Sequence, residues 1–240
     1  MTTSTVPVSY RDDDVELNGF VVQDDAQSAP RPGLLLVHAG FGLDDHSKGQ
    51  AARYAELGYV VFACDMYGPA LAGDREGTRA LLTSLRDDPD RLVRRADAGL
   101  AVLASRPEVD GRLGAVGFCF GGMTVLTLAR AGVDLAAVVS MHGSLSTARR
   151  ARKGEVKAKV LACHGALDPH VPMTDVDAFV EEMNEAEADW QLNAYGGAVH
   201  GFTHKEGVDP AIPGVAYDAR TDARSFAAAT TLFYEAFGQQ

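Results

Sequence analysis

Cysteine is scarce in this chain, with three among 240 residues, and positions 64, 119 and 163 leave no C-x-x-C pair. That count excludes a disulfide framework and a thiolate zinc site of the usual spacing, and it fits a compartment that keeps thiols reduced. Positive charge is also in short supply: 22 Lys and Arg against 33 Asp and Glu leave a net charge of −11. Broad nucleic-acid binding needs the opposite balance. No uninterrupted apolar stretch approaches the roughly 20 residues of a membrane-spanning helix. The first ten residues show neither the positive start nor the apolar core of a secretion signal. Internal repeats, low-complexity tracts, phosphate loops and dinucleotide fingerprints are missing as well. The expectation is a single cytoplasmic domain over 1–240, with no cofactor and with neither a membrane nor a nucleic acid as partner.

What is present alternates. Short apolar or β-rich runs at Leu34 to His38, Val60 to Ala63, Leu113 to Val116, Leu135 to Ser140, Val160 to His164 and Gln191 to Tyr195 have the length and content of buried parallel strands. An extended region at Val15 to Val22 precedes them. Helical patterns lie between them near Ser47 to Leu57, Asp90 to Ala104, Met123 to Arg130, Met173 to Glu185 and Asp218 to Phe237. Such alternation predicts an α/β fold, a mostly parallel central sheet with helices on both faces.

The most specific motif is Gly117-Phe118-Cys119-Phe120-Gly121-Gly122, directly after the run ending at Val116. It has the layout of a nucleophile elbow, G-x-S-x-G, with cysteine in place of serine. A nucleophile at the tip of a tight strand-to-helix turn requires small neighbours, because backbone from the helix must come close. A buried structural thiol is the competing reading of Cys119. Two further residues weigh against it. Asp168 follows the β-rich run Lys159 to His164 in a glycine turn, where it also suits a turn or helix cap. His200 lies in the glycine-rich loop after the strand expected at Trp190 to Tyr195. All three fall at the carboxyl ends of expected strands, the edge where open α/β sheets gather their sites. Nucleophile, acid, histidine is also the chain order of α/β-hydrolases.

On these residues the chain resembles the dienelactone hydrolase family, a cysteine-dependent branch of the α/β-hydrolases. The likeness runs from Gly33 to Ala39 through Phe41-Gly42-Leu43 and the Cys119 elbow to Gly165-Ala166-Leu167-Asp168 and His200-Gly201-Phe202. The resemblance implies an α/β-hydrolase fold and a carboxymethylenebutenolidase-like hydrolase whose partner is a small-molecule ester or lactone. It implies Cys119 as nucleophile, His200 as general base and acid, and Asp168 as the group that orients the histidine. The backbone N–H of Phe120, the residue after the nucleophile, is expected to be one oxyanion donor, and the resemblance places the second at the backbone N–H of Gly40.

Two departures from the family pattern bear on substrate. Ala39 stands where members that cleave dienelactone carry a glutamate contacting the cysteine, and Thr203 and His204 occupy the stretch where such members carry an arginine for the substrate carboxylate. The alternative function is therefore a catalytically idle binding or thiol-sensing protein on the same fold. Several other features read as structural. Cys64 and Cys163 are expected to be core thiols, and the basic run Arg149, Arg150, Arg152, Lys153, Lys157 and Lys159 a solvated face. His200 and His204 have i, i+4 spacing, but Gly201 and the missing H-E-x-x-H glutamate leave no metal motif. His38, His142 and His164 end or follow strands and read as hydrogen-bonded loop residues or as the mouth of a pocket. The residues from Tyr67 to Asp88 read as a loop and short helix, either a partial lid or a passive connection. Phe41, Phe118, Phe120 and Phe202 read as a compact pocket or as packing around the elbow.

Overall fold

A computed structural model of the chain describes residues 3–205 and 212–238. These fall into two compact units, Met1–Ala115 and Val116–Gln240, whose boundary lies inside one strand.

The first unit begins with a hairpin, β1 (Thr3–Asp12) and β2 (Val15–Asp24), paired antiparallel in full register from Thr3 opposite Asp24 to Asp12 opposite Val15. Asp13 turns the chain at φ 49°, a conformation that aspartate tolerates better than most residues. β1 is not legible in the sequence, because its polar and apolar residues give a weak alternation and its burial is slight. β3 (Arg31–Val37) and β4 (Val60–Cys64) run parallel, and β4 pairs antiparallel with β2. Every residue of both strands is buried, as expected of runs covered on both faces. Three helices complete the unit: α1 (Asp45–Ala55), α2 (Arg75–Asp87) and α3 (Pro89–Ala104). The side chains of Asp44, Asp74 and Asp88 each accept a backbone N–H from the first turn of one of these helices. Such caps fix where helices start. The Tyr67 to Asp88 stretch thus contains a 3-10 turn at Pro69–Leu71 and all of α2.

Strand β5 (Val109–Phe118) crosses the boundary, and the second unit continues with α4 (Phe120–Arg130), β6 (Ala137–Met141), β7 (Lys159–Gly165), α5 (Met173–Glu185), β8 (Trp190–Tyr195) and α6 (Ala219–Phe237). β6, β7 and β8 are mutually parallel. Every residue of α4 is buried, the signature of a core helix. Its last residue, Arg130, sends two nitrogens to the carboxylate of Glu182 in α5, at 2.9 and 2.8 Å. In strand order β1-β2-β4-β3-β5-β6-β7-β8 the elements make an eight-stranded, mostly parallel α/β sheet. Among the described residues no helix is long and apolar enough to cross a membrane.

Candidate active site

The elbow forms where the glycines place it. Cys119 sits between the end of β5 and the start of α4 at φ 52° and ψ −110°, a region that residues with a Cβ occupy only at a cost of about 1–3 kcal/mol. Gly117 is the glycine this turn cannot replace, since a Cβ there would run into the Gly121 carbonyl. The Cys119 N–H donates to Met141 O of β6 at 2.9 Å, and Met123 N–H returns to Cys119 O at 3.1 Å. The turn is thus tied to both the neighbouring strand and the helix it opens.

The acid and histidine loops are joined by backbone. Ala166 N–H donates to Tyr195 O and Leu167 N–H to Ala198 O, at 3.0 and 2.9 Å. Gly165 permits the approach, because a Cβ there would lie 2.6 Å from Val199 O. The histidine loop is tied in turn to the segment that precedes α6: His200 N–H donates to Gly214 O and Ala216 N–H to His200 O.

These anchors bring three of the expected site residues together. His200 Nε2 lies 3.1 Å from Cys119 Sγ, and His200 Nδ1 lies 2.7 Å from Asp168 Oδ2. A carboxylate can only accept, so Nδ1–H donates. Asp168 fills both roles that the sequence allowed: its second oxygen, Oδ1, accepts the N–H groups of His170 and Val171 at 2.8 and 3.2 Å. One oxygen shapes the turn and the other holds the imidazole.

The electrostatics follow from this geometry. Burial works against a charged His200, yet hydrogen bonding and charge from Asp168 and Cys119 outweigh it and push the imidazole from its ordinary 6.5 up to about 10. Burial alone would raise the Asp168 carboxyl, but His200 and the His170 amide hold it below its usual value. A charged imidazole beside a sulfur is the arrangement that activates a thiol as nucleophile.

Residues 17–237 match the Dienelactone hydrolase family. The chain belongs to that family. Among solved structures, a dienelactone hydrolase-like promiscuous phosphotriesterase, P91, from metagenomic libraries is 38% identical with a TM-score of 0.91, covering 99% of this chain and 100% of that one. A putative carboxymethylenebutenolidase of Yersinia pestis is 27% identical over 198 residues, 78% of this chain and 74% of the relative. An uncharacterized protein of Caenorhabditis elegans is 38% identical over 154 residues, which make up 63% of this chain and 98% of that protein. With these relatives, the α/β architecture is the α/β-hydrolase fold.

The remaining site residues of this dienelactone hydrolase family member are placed as follows. Phe120 is the first residue of α4, and Gly40 lies in the turn after β3. Ala39 is buried. Sequence reasoning missed His170, whose ring stands edge-on to His200 at 5.3 Å and whose Nε2 lies 2.9 Å from Pro213 O; its position two residues past Asp168 was the available signal. His142 is likewise edge-on to His200 at 5.3 Å, held at φ 41° with Nε2 2.8 Å from Thr203 Oγ1. His142 is buried rather than placed at an open mouth, and so are His38 and His164. His204 lies 5.7 Å from His142 between ring centres. Phe118, Phe120 and Phe202 are buried packing, whereas Phe41 is 60% exposed with the Arg75 guanidinium over its ring. Cys64 and Cys163 are free, buried thiols, and burial pushes the Cys163 thiol up to about 12. In the basic run, Arg149, Arg150, Lys153 and Lys159 pair with Glu155, Glu185, Glu187 and Asp189. Among the described residues no three His, Cys, Asp or Glu side chains converge as a metal site.

Proposed function

We propose that this chain hydrolyses a small ester or lactone through an acyl-enzyme on Cys119. The observation that carries the reading is the single imidazole of His200, in reach of both the Cys119 sulfur and the Asp168 carboxylate. In the proposed cycle the Cys119 thiolate attacks the acyl carbon, a C–S bond forms, and the carbonyl electron pair moves onto oxygen. The N–H groups of Phe120 and Gly40 receive that oxyanion; one such donor contributes roughly 3 to 4 kcal/mol in comparable sites. Phe120 opens α4, and the N-terminal end of a helix favours developing negative charge. Collapse expels an alkoxide that takes the Nε2 proton of His200. Water then attacks the thioester while giving its proton back to Nε2, and collapse releases the carboxylic acid product and restores the thiolate beside the imidazolium. Asp168 holds the ring and stabilises its charge throughout.

With alanine at position 39, ionisation of the thiol rests on His200 and the α4 terminus. Dienelactone itself is therefore expected to be a poor substrate. The similarity to the promiscuous phosphotriesterase P91 adds phosphotriesters to the panel worth assaying. Turnover of a chromogenic aryl ester by wild type, Cys119→Ala and His200→Ala tests the proposal, with a loss of roughly a thousandfold or more in each variant. Equal background rates from all three proteins leave the idle, thiol-sensing reading in its place.

A further inference from the structure

We propose that His38 is a positioning residue that aims the Gly40 N–H by locking the Ala39–Gly40 peptide, an inference that rests on the oxyanion role given to Gly40 above. His38 directly follows β3 and is wholly buried. Its Nδ1 lies 2.6 Å from Ala39 O, and its Nε2 lies 3.2 Å from Met66 N. A backbone carbonyl can only accept and a backbone N–H can only donate, so Nδ1 must carry the proton and Nε2 must be bare. The two contacts therefore select one neutral tautomer. Burial works in the same direction, lowering the affinity of the ring for a second proton.

The consequence lies one bond further on. The Ala39–Gly40 peptide is trans and planar. Its carbonyl and its N–H therefore point in opposite directions within one plate, so a side chain that fixes Ala39 O also fixes the direction of Gly40 N–H. Gly42 N–H donates to the same carbonyl at 3.3 Å, and the Tyr67 hydroxyl donates to Gly40 O at 3.1 Å. Two successive peptides of the turn are thus held through their oxygens. The far end of the imidazole is anchored as firmly: the peptide that supplies the Met66 N–H accepts at its own carbonyl, Asp65 O, from the Tyr10 hydroxyl at 2.7 Å. A continuous hydrogen-bonded chain runs from the Tyr10 hydroxyl through the Asp65–Met66 peptide and the His38 ring to the Ala39–Gly40 peptide. In a dry interior such a chain polarises its members, so a carbonyl that accepts from His38 makes its own peptide N–H a better donor.

Two substitutions separate the ring's two contacts. Asparagine places an amide N–H near the position of Nδ1 and leaves the Met66 N–H without its imidazole acceptor, whereas glutamine reaches the Nε2 position and leaves Ala39 O with the long Gly42 contact but without its imidazole donor. Each variant is assayed for acylation of Cys119 by p-nitrophenyl acetate and for alkylation of Cys119 by iodoacetamide, a displacement that creates no oxyanion. His38→Gln is expected to slow acylation by roughly 10- to 100-fold, below the full loss of an oxyanion donor, with alkylation within about twofold of wild type. His38→Asn is expected to keep acylation within about fivefold. Wild-type acylation in folded His38→Gln, or acylation and alkylation falling together, overturns the role of His38. Failure of wild type itself to acylate at Cys119 overturns the hydrolase reading instead. The wild-type protein supplies a check that needs no variant: 15N chemical shifts of the His38 ring must show a protonated Nδ1 and a bare Nε2, and the opposite tautomer contradicts the proposal.

Discussion

Two strand exits carry the amides proposed as oxyanion donors, and the chain holds them by opposite means. Beyond β5, Cys119 is forced to φ 52°, and the turn exists because Gly117 has no side chain to collide with Gly121. Beyond β3, residues 38–40 keep ordinary negative φ, and the turn is held by a buried imidazole and a tyrosine hydroxyl bonded to its carbonyls. One exit places its positive φ on a residue with a side chain and stores strain; the other confines its positive φ to Gly42, where it costs little, and relies on side-chain donors. The first is therefore intolerant of added bulk, and the second of a lost hydrogen bond.

The largest effect expected of any change in the acid loop comes from Asp168→Asn, which keeps the shape of the turn but removes the charge facing His200. Its kcat for ester hydrolysis should fall roughly a thousandfold, about 4 kcal/mol of barrier. Stability carries a matching signature. The folded imidazole sits near 10 against 6.5 when free, so its stabilisation is complete below about 6.5 and disappears as the pH rises through about 10. Asp168, held below its usual value, loses its own contribution only as the pH drops through the carboxylate range. The stability gap between wild type and Asp168→Asn should therefore be widest from just above the carboxylate range to about 6.5 and narrow towards 10. A gap that is flat across that span contradicts the assigned ion pairing.

The contrast between the exits themselves is sharpened by two alanine substitutions. Gly117→Ala places a methyl group against backbone that cannot move aside, and denaturant unfolding should show a loss of about 2–3 kcal/mol. Gly40→Ala meets only Leu82 Cδ1, at 3.4 Å, without a positive φ, so the same measurement should register under about 1 kcal/mol. Similar losses at the two positions break the distinction between a strained and an unstrained exit.

The two exits were also unequally legible. The elbow is written in glycines on either side of Cys119, and the central strands are legible in apolar runs such as Leu34 to His38 and Val60 to Ala63, which have few other uses in a folded chain; their order in the sheet is not. Asp168 and His200 could be read from their place after strands, because backbone topology brings strand ends to one edge. β1 leaves no such signal, since it lies at the margin of the sheet, where alternation is not enforced by burial on both faces. His38, His142 and His170 could be seen as histidines but not as partners. Their contacts with Ala39, Thr203 and Pro213 depend on ring orientation and on loops that meet only after folding, and no local spacing encodes either.

The central claim is that the sulfur of Cys119 becomes covalently acylated. Rapid acid quench of the protein with p-nitrophenyl acetate, followed by peptide mass spectrometry, tests it directly. An acetyl group on the peptide bearing Cys119, formed at the rate of the p-nitrophenol burst and lost at the steady-state turnover rate, is the predicted result. Turnover without any adduct at Cys119, or an adduct carried by another residue at the same rate, contradicts it.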